Sequence, residues 1–237
     1  MKLFKNFFLI LAALLLFSCS GKPTPDKEGY FSEEKFVDSL NPGTKGKTKV
    51  EFEKFRHAGN GDVFVSIHFY KSEKKWIEGE KTDIDIWRLT NSFKFDKDGI
   101  SDMNVKIGDF NNDGFNDITY QSTIAGRGGN IVMTLFVYDP TNKSFIHIKN
   151  SESYPNLTYN AKLNCINSLI LTGSTITSFL KIRKDSLEEF ARVDVSNKII
   201  VEEKGNDGKF KVIEEEPYKG SGSDFYKVFR NYNPLEY

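Results

Sequence analysis

Ile107-Gly108-Asp109-Phe110-Asn111-Asn112-Asp113-Gly114-Phe115-Asn116-Asp117-Ile118 sets oxygen-bearing side chains at positions 1, 3, 5 and 9 of a loop that starts at Asp109, with glycine at position 6. Calcium is a hard cation that takes about six to eight oxygen ligands, and a loop curls around it when glycine permits the sharp turn in the middle. Asp109, Asn111, Asp113 and Asp117 are the candidate side-chain ligands, and the carbonyl of Phe115 is a further one. Three carboxylates in so short a segment repel one another, and a divalent ion offsets that repulsion. Magnesium suits the loop less well, because it keeps its water and demands a stricter octahedron. An EF-hand is excluded twice over. Position 12 is Tyr120 in place of a bidentate glutamate, and the flanks Val105-Lys106-Ile107 and Ile118-Thr119-Tyr120 read as strand instead of helix. The loop therefore joins two strands.

Outward from it, the period-two pattern repeats. Val50–Phe55, Val63–Tyr70 and Ile84–Leu89 precede the loop as β-rich runs separated by Gly, Asn and Asp, with 104–108 leading into it. Runs at 118–121, 131–138, 145–149, 169–172, 176–182, 188–195, 199–203 and 210–213 follow it. Asp139-Pro140-Thr141-Asn142 and Gly205-Asn206-Asp207-Gly208 fall between such runs and read as hairpin turns, since proline presets one turn dihedral and glycine or asparagine accepts positive φ. Asp96-Lys97-Asp98-Gly99-Ile100-Ser101-Asp102 only partly echoes the metal loop, and it too reads as a hairpin turn. One helix is expected, over Ser32–Leu40. Ser32 would cap it, Phe36, Val37 and Leu40 would share a face, and Asn41-Pro42-Gly43 would end it. Strands without intervening helices predict an all-β domain over 32–237, propeller-like or a closed antiparallel sheet, carrying one calcium loop.

The N-terminus has another purpose. Lys2 and Lys5 precede an apolar stretch, Phe7–Phe17, and then Ser18-Cys19-Ser20-Gly21, the order of an export signal. The stretch is short for a spanning helix, which needs about 20 apolar residues. Leu16-Phe17-Ser18-Cys19 resembles the lipobox of bacterial lipoproteins, although Phe17 is bulky for it. That resemblance implies cleavage after residue 18, acyl chains on Cys19, and a membrane as the first partner. Several chains on one cysteine anchor stably where a single chain would be marginal. Residues 19–31 then form the acylated cysteine and a polar tether. Ser20 lacks the aspartate often used for inner-membrane retention, so the outer membrane is the expected address, on its periplasmic or surface face.

Loss of the signal removes two of the 33 basic side chains and leaves 31 against 33 acidic ones. That balance argues against a nucleic-acid partner. With Cys19 blocked by lipid, Cys165 has no partner for an intrachain disulfide, and it reads as a buried small hydrophobe. His57, His68 and His147 are scattered and carry no zinc pattern. No serine has a G-x-S-x-G setting, and nothing announces an active site, so no catalysis is expected. Trp76 and Trp87 are expected in the core, with a sugar-stacking platform as the alternative.

The calcium loop resembles the FG-GAP or VCBS loop of β-propeller proteins, integrin α-chain propellers among them, but long propellers repeat it and this chain has one good copy. Its continuation is more telling. Gly126-Arg127-Gly128-Gly129-Asn130, then Leu135-Phe136-Val137-Tyr138-Asp139, then Phe145, resembles a family of small calcium-binding, propeller-like periplasmic lipoproteins. That family includes immunity proteins that inhibit lysozyme-like effectors of type IV secretion systems. The match covers about 105–149. It implies a monomeric envelope protein that binds calcium and inhibits a lysozyme-like hydrolase, with Arg127, Gly128 and Gly129 as the candidate contact loop, held in shape by the nearby ion. Another envelope protein as partner, or an adhesive, glycan-binding lipoprotein on the same scaffold, is the rival expectation.

Overall fold

A computed structural model describes residues 24–77, 82–220 and 226–237, so the expected export signal and acylated Cys19 lie outside the described residues. Three antiparallel meanders follow one another along the chain. The first is β1 (Tyr30–Asp38), β2 (Thr48–His57), β3 (Val63–Ile77) and β4 (Thr82–Asp96). The second is β5 (Lys106–Gly108), β6 (Asp117–Ala125), β7 (Asn130–Asp139) and β8 (Ser144–Ile148). The third runs β9 (Thr158–Asn160), β10 (Cys165–Leu171), β11 (Thr175–Arg183), β12 (Ser186–Val195), β13 (Lys198–Lys204) and β14 (Phe210–Pro217). A small hairpin, β15 (Asn231–Tyr232) and β16 (Leu235–Glu236), completes the order. Short turns force each strand beside its predecessor, so sequence order and spatial order coincide in every sheet. The all-β expectation holds, with blade-like meanders, but closure does not: every sheet is open at both edges among the described residues.

The middle sheet explains the core. One face packs Ile118, Tyr120, Phe136, Tyr138 and Phe145 against Val50, Phe52, Val65, Ile67 and Phe69 of the first sheet. Its other face packs Met133, Leu135, Val137 and Ile148 against Ile166, Leu180 and Leu187 of the third. A strand covered on both sides needs apolar residues in succession instead of alternation. Asn130-Ile131-Val132-Met133-Thr134-Leu135-Phe136-Val137-Tyr138 reads that way, and eight of the ten residues of β7 are buried. By contrast β2 alternates, burying Val50 and Phe52 while Glu51 and Glu53 face outward. On the far side of the third sheet, Phe179, Val193 and Val201 are covered by Phe229, Tyr232 and Leu235 of the C-terminal segment.

The expected helix at Ser32–Leu40 is a strand. β1 pairs with β2 from Tyr30↔His57 to Asp38↔Val50, which brings the Phe36 ring edge-on to Phe52 at 6.3 Å. It also sets Glu33 against Arg56 and Lys54. Pairing with a neighbour outweighs a local helical spacing, and the residues that a helix would have buried with Phe36 are open, Val37 at 50% and Leu40 at 65%. β1 thus begins at Tyr30, within the 19–31 segment expected as a tether.

Asp96–Asp102 also departs from expectation. It is a crossover from β4 in the first sheet to β5 in the second, not a hairpin. Asp98 holds its shape by accepting the N–H groups of Ile100 and Ser101 at 3.1 and 2.8 Å. Lys97 turns inward, its side chain fully enclosed, and donates to Ser101 Oγ at 2.8 Å beside Asp98. Burial lowers its pKa, an effect the Asp98 carboxylate opposes. Lys54 reaches the Ser101 carbonyl at 3.2 Å and Glu33 at 3.2 Å. Buried cations are tolerated when paired, and these two fasten the crossover to both sheets.

Candidate metal centre

Asp109 to Asn116 connects β5 to β6, with the loop closed by Asp117 at the first position of β6. Gly114 has φ +86° and Asn112 φ +57°, so the sharp turn falls where the sequence places glycine. The side chains curl onto the loop's own amides. Asp109 accepts from Asp113 N–H at 3.2 Å through Oδ1 and from Gly114 N–H at 2.9 Å through Oδ2. Asn111 Oδ1 accepts from Asp113 N–H at 3.1 Å, and Asp113 Oδ1 accepts from Phe115 N–H at 2.9 Å. Each of these oxygens keeps a second lone pair.

Asp117 is different, being wholly buried. Its two oxygens accept from Phe110 N–H and Tyr138 N–H, both at 2.9 Å. Burial, helped by the charges of Asp113 and Asp109, outweighs those two N–H groups and leaves its carboxyl raised to about 7. A buried carboxylate that feels the charge of two others is short of positive charge. Among the described residues no three His, Cys, Asp or Glu side chains converge on one point as a metal cage. The donor set inferred from sequence is broader than that, because it includes the Asn111 amide oxygen and the Phe115 carbonyl. Those oxygens fit a hard cation of flexible coordination better than zinc.

Contacts beyond the ligand positions hold the loop in place. Asn116 Nδ2 donates to the Asn41 carbonyl at 2.9 Å, while Gly43 N–H donates to the Asn116 carbonyl at 2.8 Å. The loop is thereby tied to the β1–β2 connection of the first sheet. Tyr138 lies between Phe115, tilted at 5.6 Å, and Phe145, edge-on at 5.2 Å, and its hydroxyl meets Thr44 Oγ1 at 3.0 Å. Gly43 lies so close to that ring that a Cβ there would stand 2.6 Å from it, and its φ is +53°. On the other side Phe110 packs into the core shared with the third sheet. The loop thus sits where all three sheets meet. Gly43 and Asn116 carried no motif signal; Tyr138 did, as the Tyr-Asp ending of β7.

The Gly-rich loop is elsewhere. β6 carries the chain from Asp117 to Ala125, roughly 26 Å at strand rise, so Arg127, Gly128 and Gly129 lie at the opposite end of the β6–β7 hairpin from the metal loop. The expectation that an ion holds Arg127 in place is corrected accordingly. The third sheet supplies the support. Asn130 exchanges hydrogen bonds with the backbone of Leu171, both at 2.9 Å. Asn156 donates to the carbonyls of Gly129 and Leu169 at 2.9 Å and accepts from Ile131 N–H at 3.1 Å. Gly126 takes φ +58° with the Asn130 amide against its back, where a Cβ would come within 2.6 Å. On this base Arg127 is exposed at φ +56°.

His57, His68 and His147 stay apart; burial among Phe93, Phe95 and Phe136 lowers the His147 pKa. Cys165 is buried, and burial pushes its thiol up to about 11. Trp76 and Trp87 are not in the core: they stand 58% and 39% exposed.

The fold and loop define an all-β protein of stacked meanders with an oxygen-rich turn at their junction. No family model matches the sequence, and no curated protein matches it. A solved structure described as that of a Xanthomonas type IV secretion system related protein is similar at 13% identity, covering 80% of this chain and 95% of that one, with a TM-score of 0.44.

Proposed function

We propose that this chain is a non-catalytic, calcium-stabilised lipoprotein of the cell envelope, anchored through Cys19, that binds and inhibits a lysozyme-like peptidoglycan hydrolase through the Arg127–Gly129 loop. The observation that carries the reading is the presentation of Arg127. It is an exposed cation at the tip of a hairpin, in a left-handed conformation, on a base locked by Asn130 and Asn156. A pre-formed loop loses little entropy on binding, and a guanidinium is suited to the paired carboxylates that lysozyme-type hydrolases use. Calcium, when bound, would be held by Asp109, Asn111, Asp113, Asp117 and the Phe115 carbonyl; its part is to fix the sheet junction, not to touch the partner. The anchor rests on the export signal and the lipobox-like Leu16-Phe17-Ser18-Cys19, and the outer membrane is the proposed site.

A panel of lysozyme-type hydrolases assayed on purified cell walls tests this. The full-length protein is expected to inhibit at least one of them, and Arg127→Glu is expected to weaken that inhibition by at least tenfold without changing the melting temperature. Absence of inhibition across the panel, or equal inhibition by the variant, overturns the reading.

A further inference from the structure

β3 and β4 are each fifteen residues long, but β2 stops at Thr48, opposite Lys71. Beyond that point Ser72–Ile77 and Thr82–Trp87 continue as a two-stranded ribbon, and β4 is the outermost strand of its sheet. Side chains directly opposite one another in such a ribbon share a face. The register Tyr70↔Leu89, Ser72↔Trp87, Lys74↔Asp85, Trp76↔Asp83 therefore places Leu89, Trp87 and Trp76 on one side. All three are open, Leu89 at 49% beside the two indoles. Trp87 and Trp76 stand four residues apart along the ribbon, roughly 13 Å.

Between the indoles the surface is polar and organised. Ser72 Oγ donates to Asp85 at 3.0 Å, and Lys47 approaches the same carboxylate at 3.7 Å. On the far side of Trp87 from Trp76, opposite Tyr70, Lys49 Nζ lies 4.2 Å from the Tyr70 ring centre and 5.8 Å from that of Trp87. Neither indole packs on another ring among the described residues.

We infer that this face binds an oligosaccharide, bridging Trp87 and Trp76. Sugar rings offer apolar C–H faces that cover an indole and hydroxyls that both donate and accept, so each neighbouring polar group finds a partner. The layout of indole, carboxylate and amine, indole matches that alternation. A bilayer would have to desolvate Asp85, and a polyanion would meet that carboxylate at the centre of the face. This site lies in the first sheet and is independent of the Arg127 loop.

Trp76 and Trp87 are the only tryptophans of the chain, so its indole emission reports on this face alone. The full-length protein is titrated with chitohexaose, cellohexaose and maltohexaose, and separately with phosphatidylethanolamine–phosphatidylglycerol vesicles. At least one hexasaccharide is expected to change the emission saturably. Trp76→Ala and Trp87→Ala are each expected to weaken binding at least tenfold, as read by calorimetry, with unchanged circular dichroism. No response to any hexasaccharide, undiminished binding by both variants, or a response to vesicles alone overturns the inference.

Discussion

Phe136→Ala is expected to cost about 3–5 kcal/mol of folding stability, the range found when a large aromatic is removed from a packed core. The ring is fully buried at the junction of the first and second sheets. Its centre lies 5.1 Å from that of Phe69, 5.3 Å from Phe93 and 5.3 Å from His147, with Phe52, Phe95 and Tyr120 within 6.5 Å. Its neighbours come from β2, β3, β4, β6 and β8, each held by backbone pairing, so the void cannot close by collapse. Denaturant unfolding measures the loss. A change below about 0.5 kcal/mol, the size of a typical surface effect, means that the two sheets do not meet as described.

The second large effect concerns Asp117. Asp117→Ala leaves the N–H groups of Phe110 and Tyr138 without their acceptor, at about 1–3 kcal/mol for each stranded donor. Asp117→Asn is the milder and more informative change. In chelator the wild-type carboxyl has its pKa raised by burial from 3.8 to about 7. The folded state then holds a proton that the unfolded state has released, so the contribution is complete below about 3.8 and is lost as pH rises through about 7. Wild type in chelator is therefore expected to gain stability from pH 8 to pH 5 relative to Asp117→Asn, which has nothing to titrate there. Calcium needs the carboxylate, so saturating calcium should reverse the sign of that difference. Equal pH dependence of the two proteins in chelator contradicts the burial of Asp117.

Much of this fold was legible in residues. Period-two runs and turn chemistry located the main strands, because open sheets of sequential hairpins are specified locally by alternation and by residues such as Pro140 and Gly208. The sharp turn between β5 and β6 was legible for the same reason, Gly114 marking it in the sequence. What failed was non-local. Ser32–Leu40 has a helical spacing that only the presence of β2 overrides. Trp76 and Trp87 read as core residues because nothing in their own strands reveals that β2 ends at Thr48. The Gly-rich loop was read as a neighbour of the metal loop because nine residues is close in sequence, whereas extended chain turns nine residues into the full length of β6. Gly43 reads only as part of a helix stop until the Tyr138 ring is found against it.

Calcium at the junction of the three sheets is tested most directly by thermal unfolding of the full-length protein in calcium and in EDTA, beside Asp109→Ala. An ion bound by the folded state alone raises the melting temperature in proportion to the logarithm of its excess over the dissociation constant, about 2.7 kcal/mol at a hundredfold excess. Wild type is expected to show that rise, and Asp109→Ala to melt alike in both conditions. Identical melting of the wild type in calcium and in EDTA contradicts a calcium site in this loop.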